Sequence, residues 1–339
     1  DYPDAAYTGL ERSDLDGLSL QVGVHHATFT SSEGYAAFDE FRVEGPQVVA
    51  GMKAYGATPA DEADDVVRSV VLSWTSHETV VSHDLYVGTD VDAVTAATKT
   101  DPLGAALALG QDANSYDVGL LEFGKTYYWR VDETDADGAL YPGDIWSFTV
   151  EPYAYPITGV TASASSFYKV ETSADKTVDG SGLDNELHGD DLTTMWLSKR
   201  NAAEPAWIGY DFGQVYKVDR VLVWNSNQTT EEVMGVGVKN ATIEYSTDGS
   251  TWTTLGDVEL TQAGGIGDPL PSQTVDLGGI LARYVKLTIL SNWAGIFKQY
   301  SLSEVRFYYV PVVARSPDPA DGATDVYPQV TLGWRVGRE

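Results

Sequence analysis

The stretch DGSGLDNELHGDDLTTMW, from Asp179 to Trp196, carries the densest chemistry in the chain. Between Asp179 and Asp191 lie five carboxylates and three glycines, with no lysine or arginine. Such a loop is either a solvated acidic turn or a set of oxygen donors gathered around a hard cation. A second candidate is Trp293, which stands between Asn292 and an Ala-Gly pair, outside any strand pattern. A tryptophan so placed either packs under its loop or offers a flat ring to a ligand. The elements that hold these residues have to decide.

Composition narrows the partners. The chain has 339 residues, a length suited to two or three domains, with 21 basic against 50 acidic side chains and a formal charge of -29. That balance excludes nucleic acid, whose phosphates need lysine and arginine, and disfavours anionic membrane surfaces. There is no cysteine, so disulfides, thiol catalysis and zinc–thiolate sites are excluded. No signal peptide and no apolar run long enough to span a bilayer is found, so no membrane insertion is expected.

Short runs rich in Val, Tyr, Trp, Phe and Ile recur between Gly, Asp, Asn and Pro turns. Examples are VVLSW (70–74), HDLYVG (83–88), TYYWRVDE (126–133), VDRVLVW (218–224), YVKLTIL (284–290) and SEVRFYYV (303–310). In TYYWRVDE, Tyr127, Trp129 and Val131 alternate with polar neighbours, which predicts a half-buried strand. STDGSTW (246–252) predicts a hairpin. No segment keeps a helical period, so the fold class is all-β.

An internal repeat fixes the organisation. Residues 54–74 align without gaps to residues 314–334, with ten of 21 positions identical, including Pro59/Pro319, Asp65/Asp325, Leu72/Leu332 and Trp74/Trp334. One module type is therefore expected to begin near residue 50 and again near residue 312. The second copy stops after about two strands, too little to bury a core, so the chain is expected to be cut from a longer tandem protein.

Residues 46–152 resemble a fibronectin type III-like sandwich of secreted bacterial multidomain proteins. Trp74 matches the inward tryptophan, and Leu121, Gly124 and Tyr127 match the pattern whose tyrosine hydroxyl ties the strand to the backbone upstream. Trp74, Trp129 and Trp146 are expected in its core, and Asp132–Gly138 is expected to be a solvated hairpin tip. Residues 1–45 end in FDEFRVEG, which resembles the last strand of a concanavalin or laminin-G-like sandwich. Residues 312–339 read as the start of a second, truncated fibronectin type III-like domain.

Residues 153–311 resemble a discoidin domain of the coagulation-factor C-terminal type, a jelly-roll β-sandwich shared with many carbohydrate-binding modules. The resemblance rests on Asp179-Gly180, on Asp191, Thr194 and Trp196, and on WIGYDFG, ATIEYSTDGSTWTTL, RYVKLTIL and LSEVRFY in the family's order. It implies inward faces bearing Trp207, Ile208, Val221, Val223, Ile243, Tyr245, Val285 and Leu287 or their alternates. It also implies a structural calcium held by Asp179, Asp191, Thr194 and Glu304, with Asp190 interchangeable with Asp191. One departure from the family is the insertion Ser181–Asp190, which either adds donors or hangs outside. In sugar-binding relatives the ligand sits among loops at one end of the barrel. The matching candidates here are Trp293 and Phe297 with Asn292, Asn225, Asn227 and Arg200.

No catalytic motif is present: the chain has no Gly-x-Ser-x-Gly elbow, no His-Glu-x-x-His and no phosphate-binding glycine loop. The adjacent His25 and His26 would point to opposite faces of a strand. The expected protein is non-catalytic, extracellular or on the cell surface, and bound through its discoidin-like module to a polysaccharide or glycan. The rival expectation is a structural repeat unit of a fibre, coat or surface layer, with other copies or other extracellular proteins as partners.

Overall fold

The computed structural model of the chain describes residues 53–265, 269–324, 326 and 329–338. The expected concanavalin or laminin-G-like segment at 1–45, with His25 and His26, lies outside the described residues. The chain divides into two compact units, 1–51 and 52–339, and the following concerns the second.

The first sandwich is built on β1 (Val71–Thr75), β2 (Val80–Gly88), β3 (Thr126–Asp135) and β4 (Trp146–Val150). β1 lies between strands 55–58 and 115–117 in one sheet; β2, β3 and β4 lie between strands 106–111 and 63–66 in the other. Leu72, Trp74, Leu85, Trp129, Val131, Phe148 and Val150 fill the space between the sheets. The Tyr127 hydroxyl accepts the Glu122 N–H at 3.2 Å, which is the expected tie to the backbone upstream. β3 departs from the half-buried expectation, because residues 129–133 are buried on both faces. A short helix, Val91–Ala96, covers the second face, and Arg130 reaches across to the Val94, Thr95 and Ala97 carbonyls while pairing with Asp132 at 2.8 Å. Its charge is paired and both terminal nitrogens are hydrogen-bonded, which is what lets a guanidinium sit buried where alternation would expose it. The expected solvated tip at Asp132–Gly138 holds only for its end: Asp132 and Glu133 are buried within β3, and the turn is closed by Asp135 accepting the Asp137 and Ala139 N–H groups.

The second sandwich is one hydrogen-bonded ribbon folded on itself. β5 (Trp207–Asn225), β6 (Val238–Ser246), β7 (Thr253–Glu259), β8 (Gln273–Asn292) and β9 (Ser301–Val310) run in the order β9, β5, β8, β6, β7. β5 and β8 pair in two stretches, 207–211 against 284–288 and 216–223 against 273–282, with a break between. A second register shift falls inside the latter stretch, between Val218↔Ile280 and Arg220↔Asp276, where Gly278 and Gly279 have φ of +66° and +70°. A side chain is strained in that region, so the glycine pair accommodates this bulge in the β5–β8 ladder. The inward residues Ile208, Val221, Val223, Ile243, Val285 and Leu287 then meet Leu302, Val305 and Phe307 of β9 in one core.

Trp207 is a correction. It was expected inward, yet Ile208 and Tyr210 are the buried neighbours while Trp207 and Asp211 stay partly exposed. Successive strand residues alternate faces, so Trp207 and Ile208 cannot both point in.

The repeat is visible in backbone register. Tyr55 pairs with Thr75 and Thr58 with Ser73; Arg315 pairs with Arg335 and Asp318 with Gly333. Each pair is the other displaced by the alignment offset, and positive φ recurs at Gly56/Ser316 and Glu62/Gly322.

Candidate functional site

The loop from Asp179 to Trp196 folds against the start of β9. Glu304 is 3% exposed; its Oε1 accepts the Gly180 N–H at 3.3 Å and its Oε2 has no partner. Burial pushes its carboxyl up to about 8; the Gly180 N–H opposes this and the charge of Asp179 adds to it. Asp179 pairs with Lys176 at 2.7 Å and accepts the Ser181 N–H at 2.8 Å. Burial raises the Asp179 carboxyl, but these bonds outweigh it and hold it below its ordinary range. Asp191 caps the turn Leu192–Thr194 by accepting both the Thr193 N–H and hydroxyl, which lowers its carboxyl. Thr194 Oγ1 donates to the Asp191 carbonyl at 2.7 Å. Asp190 turns toward Thr229.

The inserted middle splits into two parts. Leu183–Asp184 and Leu187–His188 form a small hairpin that adds Leu270–Pro271 as a third strand. Its tip leaves the loop's base: Glu186 binds Arg306 with both oxygens at 2.8 Å, and Asp184 bonds its neighbour Asn185. Its base returns His188, which is fully buried, donates from Nδ1 to the Gly189 carbonyl at 2.9 Å and leaves Nε2 unpartnered. Burial lowers its pKa, so the neutral ring is favoured. A Cβ on Gly182 would lie 2.5 Å from Thr194 Oγ1 and 2.8 Å from His188 Nε2, so only glycine fits there. His188 was not among the expected site residues; a histidine inside an otherwise acidic insertion was the available signal.

This set fits a hard cation. Glu304 Oε2 and Ser181 Oγ are buried without partners, and Asp179 is close enough to raise the charge cost of Glu304. A buried oxygen left unsatisfied next to a second carboxylate is the circumstance a cation relieves. Among the described residues no three His, Asp or Glu side chains converge on one point, so hydroxyls and carbonyls would complete the shell.

At the loop end of the barrel the expected ligand residues separate. Asn225, Asn227 and Asn292 are 4%, 0% and 6% exposed. Asn225 donates to the Val238 and Thr261 carbonyls, Asn227 to His188 and Asn292 to Phe297 and Gln299. Their amides are consumed in holding loops together, which corrects the expectation that they face a sugar. Glu231 completes this scaffold: it is 0% exposed and accepts from Gly237 N–H at 2.7 Å, Ser226 Oγ at 3.1 Å and Gln228 at 3.3 Å. Trp293 is half-buried, with its indole N–H bonded to the Leu260 carbonyl and the Lys239 ammonium 4.6 Å from its ring. Arg200 and Phe297 do meet, the guanidinium lying 4.7 Å from the ring centre.

A third site was not anticipated. On the outer face of the second sandwich, Trp207, Gly209 and Asp211 of β5 lie beside Tyr284 and Lys286 of β8 and Ser163 of the strand 161–164. Gly209 has no side chain, and a Cβ there would reach the Trp207 ring at 3.6 Å and Lys286 at 3.8 Å, so the glycine leaves a depression. Trp252 forms another wall, 6.4 Å from the Tyr284 ring, with the Lys286 ammonium 4.5 Å from the Trp252 ring. Asp211 is bidentate with Arg283 at 2.8 and 3.0 Å, and Lys286 pairs with Glu244 at 3.0 Å. The alternation that turned Trp207 outward was the signal in the sequence.

Residues 160–305 match the family model of the F5/8 type C domain. No curated protein matches the chain. Among solved structures, the family 32 CBM of Clostridium perfringens NanJ in complex with galactose is 19% identical, with a TM-score of 0.35, over 46% of this chain and 98% of that one. The Clostridium perfringens family 89 glycoside hydrolase CpGH89 in complex with GlcNAc-alpha-1,4-galactose is 18% identical, with a TM-score of 0.33, over 45% of this chain. The aligned part spans 14% of that hydrolase. The SusE-like protein BT2857 is 16% identical, with a TM-score of 0.38, over 75% of this chain and 98% of that one. The motif order, the two-layer ribbon and the matched residues agree, and residues 160–305 are an F5/8 type C, discoidin-like domain.

Proposed function

We propose that this chain is a non-catalytic carbohydrate-binding or adhesion protein, extracellular or on the cell surface, whose F5/8 type C domain binds a neutral glycan. The observation that carries this reading is the depression over Gly209. Sugar rings have an apolar face that stacks on aromatics and edges of hydroxyls that bond polar groups. Trp207, Trp252 and Tyr284 supply the first, and Asp211, Lys286 and Ser163 supply the second. The charges there are paired, Asp211 with Arg283 and Glu244 with Lys286, so the site offers hydrogen bonds without a net field. A net charge of -29 also disfavours acidic polymers. The loop end with Arg200, Phe297 and Trp293 is the competing location.

Binding of the full chain to a neutral-glycan array tests this. Trp207→Ala and Trp252→Ala should abolish binding with an unchanged thermal midpoint. Loss only in Trp293→Ala or Phe297→Ala moves the site to the loop end. No binding to any glycan by the unaltered chain overturns the reading in favour of protein contacts in a fibre, coat or surface layer.

The same reading includes calcium as a structural ion. Asp179 and Glu304 would hold it, with Thr194, Ser181 and loop carbonyls supplying further oxygens. Asp190 and Asp191 would act through their backbone, since the Asp191 carboxylate is committed to Thr193. The ion would supply charge compensation for Glu304 and rigidity for the loop. Calorimetric titration with calcium tests it: no heat and no shift of the thermal midpoint would remove calcium from the reading.

A further inference from the structure

Glu151 follows β4 at the end of the first sandwich and is 7% exposed. Three guanidiniums from the far end of the chain converge on it. Arg315 and Arg338 each lie 2.7 Å from its Oε2, and Arg335 lies 3.6 Å away. Arg335 also pairs with Asp65 at 2.7 Å, and Asp65 accepts the Tyr155 hydroxyl at 2.5 Å. Arg338 donates to the Pro152 and Tyr153 carbonyls and lies 4.7 Å from the Phe123 ring; Arg315 lies 4.8 Å from the Tyr155 ring. In a chain with 21 basic residues, three on one nearly buried carboxylate is a concentrated placement.

The topology makes this meeting possible. Tyr155 and Pro156 pair antiparallel with Tyr309 and Tyr308, so the chain enters and leaves the F5/8 type C domain at the same sheet edge. The Arg338 N–H bonds the Pro311 carbonyl, which folds the segment 312–338 back toward the entrance. The hairpin in that segment repeats the register of the first sandwich's opening hairpin. Yet where the second copy has Arg315, Arg335 and Arg338, the first has Tyr55, Thr75 and Glu78. The arginines are therefore particular to the copy that meets Glu151, not a requirement of the hairpin.

We propose that Asp65 and Glu151 form a docking surface for the opening hairpin of the following module of the same type, recognised by its three arginines. That hairpin then rests directly on the first sandwich, although the F5/8 type C domain separates the two in sequence. This does not depend on glycan binding.

The absence of native cysteine permits a direct test in the full chain. Ser69 and Val336 line the same cleft from opposite sides. Nitroxide labels on Ser69→Cys and Val336→Cys should show strong dipolar broadening. Glu151→Lys should abolish it, and so should the arginine-side change Arg338→Glu, which leaves the first sandwich untouched. Combining Glu151→Arg with Arg315→Glu and Arg338→Glu should restore part of it. Circular dichroism of the first sandwich's tryptophans checks that the fold persists. Absent broadening in the doubly labelled parent, or broadening unchanged in Arg338→Glu, overturns the proposal.

Discussion

Two buried glutamates in the F5/8 type C domain have opposite fates. Glu231 receives a backbone N–H, a hydroxyl and an amide, one or more on each oxygen. Glu304 receives one long bond from Gly180, keeps one oxygen without a partner and faces Asp179. Burial raises the carboxyl in both. The difference lies in what the surroundings supply. Glu231 is a finished structural element that pins the loop between β5 and β6, whereas Glu304 feels Arg306 only through space, with no ion pair to it, and suits a cation.

The largest expected effect breaks the comparison from the finished side. Glu231→Ala orphans the Gly237 N–H and the Ser226 hydroxyl and should cost about 3 kcal/mol in urea unfolding. Glu304→Gln in chelator at pH 8 should cost nothing or stabilise, because it deletes a charge with no partner. Equal losses in both variants would show that the contrast is false.

Calcium should act next. At a free concentration 100-fold above Kd it should add about 2.7 kcal/mol, read as a rise in thermal midpoint that EDTA reverses. Glu304→Gln should lose this response and Glu231→Gln should keep it.

A pH series without metal sharpens the same point. The Glu304 carboxyl titrates near 8 when folded, against an ordinary 4.5. The folded state therefore holds more protons between those values, and stability falls as pH rises through that window. The loss from pH 6 to pH 8 should be about 2 kcal/mol and should flatten in Glu304→Gln. A rise in stability over that range would contradict the raised value.

The smallest effect concerns Lys176. Its pair with Asp179 is partly exposed and spaced i,i+3, so Lys176→Ala should change metal-free stability by less than about 0.5 kcal/mol. The same variant should bind calcium more tightly, because a competing cation is gone.

The fold class was legible because strand periodicity and turn chemistry are local properties. The motif order of residues 153–311 led to the family that residues 160–305 match. The sequence also named Asp179, Thr194 and the distant Glu304; Glu304 meets the loop at Gly180 beside Asp179, while Thr194 bonds the Asp191 carbonyl. The ligand residues were less legible. Asn225, Asn227 and Asn292 look like sugar contacts in a polar loop, yet all three spend their amides on backbone carbonyls. Sequence cannot tell an amide aimed at solvent from one aimed at a buried carbonyl, since the same loop composition serves both. Trp207 shows the reverse error: the resemblance set it among the inward residues or their alternates, and the pleat placed it outside.

The sequence alone determined that the protein is all-β, repeats one module and carries an F5/8 type C pattern with an acidic loop. Those follow from periodicity, turn residues and charge, each readable within a few neighbours. Only the tertiary structure decided that Glu304 meets Gly180 and keeps one oxygen without a partner, and that Arg315, Arg335 and Arg338 close on Glu151. Such outcomes depend on contacts between residues more than a hundred positions apart, set by how the layers fold onto one another.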